Sequence, residues 1–159
     1  MLEILIVVLG ILLGFYLGNI AKDEIIKGKK YFLFFESVIL LVLILIFVKL
    51  SFLMLIGAVV GFVICKFFKQ IYFYLGILVL CASLINKEIF LASVSLVFLF
   101  SLIFESLSKS KLKNFLLDII LFLIPFSLLF VESFINSNLS ILIGFSIGAV
   151  IEWARSSAW

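Results

Sequence analysis

Three stretches of this chain, Leu2 to Ile20, Tyr31 to Val48 and Ile89 to Leu107, each run for 18 or 19 residues with a single charged side chain apiece. A helix that spans a bilayer needs about 20 mostly apolar residues, and no soluble core could hide several runs of that length. Four further apolar runs, Phe52 to Phe68, Tyr72 to Ile85, Phe115 to Ile135 and Leu139 to Glu152, bring the count to seven. With 67% of its 159 residues hydrophobic and 13% charged, the chain has almost nothing left for a domain outside the membrane. The expected fold is an all-α integral membrane protein. Residues 1–159 form a single polytopic domain, a compact bundle of seven transmembrane helices, with six as the alternative count.

The breaks between the runs predict an orientation. Lys22, Lys27, Lys29, Lys30, Lys66, Lys69, Lys109, Lys111, Lys113 and Arg155 fall in loops 1, 3, 5 and the tail, whereas loops 2, 4 and 6 hold only Lys49 and Lys87. By the positive-inside rule the N-terminus lies outside and the C-terminus in the cytoplasm. A re-entrant hairpin of helices 3 and 4 is excluded by the same charges, because it would leave Lys66 and Lys69 in the bilayer at about 2.5 to 3.5 kcal/mol each. The start, Met1-Leu2-Glu3, lacks the basic region of a cleaved leader, so the first run is expected to stay as a spanning helix.

One motif occurs twice. Ile11-Leu-Leu-Gly-Phe-Tyr-Leu-Gly18 returns as Ile141-Leu-Ile-Gly-Phe-Ser-Ile-Gly148, and Gly10 extends the first stripe while Gly57 and Gly61 repeat its spacing. Glycines four residues apart clear one helix stripe and let another backbone approach. These residues are therefore expected to pack helices, with Gly14 beside Gly144 and Gly18 beside Gly148 closing the bundle between the first and last helices. Pro125, the only proline, is expected to kink the sixth helix. Tyr72 and Tyr74, and at the tail Trp153, Arg155 and Trp159, read as anchors at the membrane interface. Ala21 to Lys30 reads as a loop.

Chemistry has few carriers. The chain contains no histidine, which removes the commonest general base and metal ligand. Cys65 and Cys81 lie inside apolar runs without disulfide or metal spacing. No catalytic residue, metal site or cofactor is expected. Of the acids, Glu105 with Lys109 at i+4 and Glu152 with Arg155 one turn on read as ordinary interfacial charge. Glu36, about 9 Å deeper than Lys30 along its helix, and Asp118, five residues past Lys113, form the candidate cytoplasm-facing cation or proton site.

The expected function is that of a non-enzymatic multi-pass protein of the cell membrane, a structural or accessory subunit of a membrane complex. The alternative is a small transporter for a neutral or lipid-like solute. Its partners are the lipid bilayer and other membrane subunits or further copies of itself, and no nucleic acid.

Overall fold

The computed structural model describes residues 3–48, 51–108 and 112–157. All regular structure among them is helical: α1 (Ile4–Ile20), α2 (Lys22–Phe47), α3 (Phe52–Cys65), α4 (Ile71–Ile85), α5 (Lys87–Leu107), α6 (Leu112–Leu123), a 3₁₀ segment (Ile124–Val131), α7 (Glu132–Ser137) and α8 (Leu139–Ser157). Three helical stretches are long and apolar enough to cross a membrane, Lys27–Phe47, Lys87–Leu107 and Leu139–Ser156. Four shorter apolar ones accompany them, at Ile4–Ile20, Phe52–Cys65, Ile71–Ile85 and Asn114–Phe130.

The boundaries follow local chemistry and correct the sequence reading in three places. Ala21 to Lys30 is not a loop: α2 begins at Lys22, because Lys, Glu and Ile are competent helix formers with no proline among them, and only Ala21 separates α1 from α2. Helix α3 stops at Cys65 rather than Phe68, where the amide N–H groups of Lys66 and Phe67 tighten onto Val63 and Ile64. Helix α8 continues through Ser157, past Glu152. Ser51 and Asn86 start their helices as side-chain caps, Oγ accepting from the Met54 amide at 3.2 Å and Oδ1 from the Ile89 amide at 2.7 Å, as short polar residues do at N-caps.

Helix α4 is the centre. It is apolar around its whole circumference, and a helix of that kind belongs inside; a continuous run from Tyr74 to Ala82 is buried. Around it pack α5, α6, α8 and the 3₁₀ segment. By contrast α2 shows lipid-like side chains outward, Phe34, Leu41 and Leu45 being 65%, 57% and 63% exposed.

The glycines meet partners other than those expected. A Cβ at Gly10 would stand 2.8 Å from the Phe98 carbonyl oxygen, one at Gly14 2.6 Å from that of Leu102, and one at Gly18 2.9 Å from that of Ser106. Helix α1 therefore lies along α5, in the same direction. On the other side, Gly57 and Gly61 abut the backbone of Ile141 and Phe145, while Gly144 and Gly148 abut that of Met54 and Ala58, again with the helices parallel. The two matching stretches thus do not face each other: the α1 copy packs on α5 and the α8 copy on α3. The physical reason is that α3 offers α8 a glycine face of its own, so both backbones can close in together.

Pro125 lies near the start of the 3₁₀ segment. Lacking an N–H and crowding the carbonyl four residues back, it ends α6 and tightens the following turns. Gly76 of α4 makes room for this, since a Cβ there would be 2.5 Å from the Phe122 carbonyl oxygen and 3.1 Å from Pro125 Cγ.

Candidate functional site

Polar groups collect at the end of the bundle where α2, α4 and α6 begin and α5 and α8 finish. Two cavities open there. One, of about 340 Å³, is bounded by Lys29, Glu36 and Ser37 of α2. The other, of about 250 Å³, is bounded by Lys69 and Gln70 before α4 and by Asn114 and Asp118 of α6. Phe104, Ser108 and Trp153 border both.

That partition is aromatic. Trp153 meets Phe104 edge-on at 5.3 Å and Phe100 at 5.9 Å, and Phe100 stacks on Phe104 at 5.6 Å. Its indole is buried, so it is a core residue and not an anchor in the headgroup layer. The correction extends to Tyr72 and Tyr74, both buried in α4. Large rings with one polar atom suit an interface, but here the neighbours of α4 enclose them. Trp159 and Lys109 lie outside the described residues.

Glu36 and Asp118 therefore occupy different cavities. Glu36 is 7% exposed and makes no hydrogen bond or ion pair among the described residues; its neighbour Ser37 donates to the Leu33 carbonyl at 2.9 Å. Asp118 is half-buried, and the acid within its electrostatic reach is Glu105. Glu105 is fully buried on α5, close to the Tyr72 hydroxyl and to Asp118. The sequence reads Glu105 as ordinary interfacial charge because Lys109 stands at i+4, and its full burial corrects that expectation. The close approach of α1, whose Gly14 would carry a Cβ 2.9 Å from Glu105 Cβ, and the neighbouring Tyr72 of α4 seal it in.

Glu152 takes the partner the sequence gives it, a two-pronged pair with Arg155. Lys66 and Arg155 both stand over the Phe62 ring, at 5.4 and 5.5 Å, favourable placements for cations on an aromatic face. Cys65 and Cys81 are buried free thiols. No group of three or more acidic or cysteine side chains that could hold a metal ion occurs among the described residues. Each cavity thus carries one carboxyl of the expected pair on its wall, Glu36 in the first and Asp118 in the second.

No family model, no curated protein and no solved structure matches this chain.

Proposed function

We propose that the chain is a seven-span protein of the cell membrane, N-terminus outside and C-terminus in the cytoplasm, acting as a non-enzymatic structural or accessory subunit. The observation that carries this reading is the state of the polar side chains in the middle of the helices. Ser93, Ser95, Ser127 and Ser146 each donate to a carbonyl three or four residues back in their own helix, at 2.7 to 3.0 Å. A translocation path holds its solute on polar groups near the midplane; these hydroxyls are engaged with their own backbone.

Two features support the topology. The parallel pairs α1 with α5 and α3 with α8 are the ones that seven alternating crossings require. The starts of α2, α4 and α6 and the ends of α5 and α8 also share the cavities at one end, where the basic residues lie. Helices α3 and α4, about 21 and 22 Å long, fall short of a 30 Å hydrocarbon core. For α4 this is harmless, because its neighbours shield it from lipid, and local thinning accommodates α3.

The alternative, a small transporter, draws on the Glu36 and Asp118 cavities. Purification in mild detergent at native expression separates the two: a stoichiometric partner supports the accessory role, and a protein that leaves alone favours transport. For topology, single cysteines at Lys29, Asn114 and Ser156 should react with an impermeant reagent only from the cytoplasm, and those at Glu88 and Ser137 only from outside. Reaction of both sets from one side would overturn the seven-span reading.

A further inference from the structure

The cavity beside Glu36 does not end at the polar rim. A second one, of about 350 Å³, continues it between α2 and α8, past Leu41, Leu45 and Val150, and the two share Ser37, Leu40 and Ala154. Together they make one groove with a carboxyl at its head and an apolar wall beyond. Leu41 and Leu45, each more than half exposed, leave the groove open on the lipid side. Measured along α2, Glu36 to Leu45 is about 14 Å, the reach of a medium-length alkyl chain.

We propose that this groove binds a single-chain amphiphile with a cationic amine head, the ammonium on Glu36 and the chain laid between α2 and α8. Charge decides the head. Glu36 is more than nine-tenths buried, lines the cavity and has no partner among the described residues. An ion in that position gains a charge-assisted hydrogen bond in a medium where water competes poorly. Among the described residues Lys29 is the only cation on the cavity wall, about two turns toward the rim from Glu36. A phosphodiester linking an ammonium to acyl chains would fall beside Ser37, Leu40 and Ala154, where no cation among the described residues lines the groove, so a plain amine fits better than an aminophospholipid. The chain adds affinity as well as orientation, because it draws the amine out of water into the apolar phase beside Glu36 and fills the arm between α2 and α8.

The inference rests on the crossing of α2 proposed above, not on the accessory role. Trp153 borders the head cavity and reports on it once Trp159→Phe removes the other indole. The Trp159→Phe protein in neutral detergent is titrated with dodecylamine, with dodecanol and methylammonium as the chain-only and charge-only controls. Dodecylamine should change Trp153 emission saturably, and Glu36→Gln should weaken binding at least about tenfold, while Glu36→Asp retains it. Leu41→Phe, which narrows the apolar arm without touching the carboxyl, should also weaken dodecylamine, and serves if Glu36→Gln fails to fold. A matching response to dodecanol, or unchanged binding in Glu36→Gln, would show partitioning and overturn the proposal. Methylammonium binding as tightly as dodecylamine would reduce the site to one for small cations and overturn the amphiphile. The labelling pattern above tests the crossing separately, so the two failures are distinguishable.

Discussion

Arg155 grips Glu152 with both prongs of its guanidinium, Nε 2.8 Å from Oε2 and Nη2 3.0 Å from Oε1. The carboxyl side chain is 5% exposed and the arginine 64%, so the arginine acts as a lid on an acid that the bundle has taken in. Phe62 of α3 lies under the guanidinium, and the pair thereby joins the ends of α3 and α8.

From this geometry Arg155→Gln should lower Tm, and Arg155→Lys should recover only part of the loss because an ammonium cannot make the fork. In a Glu152→Gln background, Arg155→Gln should have little further effect. Thermal unfolding of the four proteins of this cycle in one detergent measures the coupling. Additive losses would show that the two side chains act independently.

Tyr72 and Tyr74 permit a comparison within one helix. The Tyr74 hydroxyl donates to the Phe68 carbonyl at 2.7 Å, whereas that of Tyr72 lies in the protein interior near Glu105 with no hydrogen bond of normal geometry among the described residues. Removing a made bond costs about 0.5 to 1.5 kcal/mol, and removing a buried hydroxyl that has none is near neutral. Tyr74→Phe should therefore destabilise by about 1 kcal/mol and Tyr72→Phe by less. Denaturant titration of both variants checks the order; a larger loss for Tyr72→Phe would show that its hydroxyl holds Glu105 in place.

How far the sequence could be read turns on the same residues. The apolar runs announce helices because a hydrocarbon-like composition leaves few alternatives, and the glycine pairs at spacing four mark close backbones. Which faces meet is not written in either copy alone, since Gly14 and Gly144 have almost identical neighbours and yet pack on α5 and α3. Gly76 has no glycine four residues away and passes unnoticed, although it seats the Pro125 turn. Glu105 and Trp153 carry the usual marks of an interface, an acid near lysines and an indole near a helix end. Their burial is a property of the assembled bundle: α1 covers the first, and Phe100 and Phe104 enclose the second.

Pro125 sets a spacing that can be tested. Eight residues of 3₁₀ helix rise about 16 Å, against about 12 Å as α-helix. Pro125→Ala restores an N–H and removes the ring that meets Gly76. If the proline holds the 3₁₀ geometry, slower amide exchange through Ile124–Val131 and a gain in helical circular dichroism should follow, with stability lower by roughly 1 to 2 kcal/mol from the lost packing. Unchanged exchange would mean that packing on α4, and not the proline, imposes the tight turns.

Gly148 and Gly28 are both helical glycines, and their surroundings call for opposite responses to the same substitution. A Cβ at Gly148 would run into the Ala58 carbonyl oxygen and the backbone behind it. Backbone cannot rotate away as a side chain can, so α3 and α8 must separate along their length, breaking the reciprocal contact at Gly61 and Phe145 as well. Overpacking usually costs about 1 to 3 kcal/mol, and Gly148→Ala belongs at or above the upper end of that range. At Gly28 the nearest atoms belong to the Phe32 ring, 3.1 and 3.4 Å away, and a ring on its own helix can shift by a rotamer adjustment. There alanine keeps its helix advantage over glycine, roughly 0.5 to 1 kcal/mol, so Gly28→Ala should be neutral or stabilising. Thermal unfolding in one detergent compares the two. A Gly148→Ala protein as stable as Gly28→Ala would mean that α3 and α8 are not held at backbone contact, and the parallel pairing of these helices would have to be abandoned.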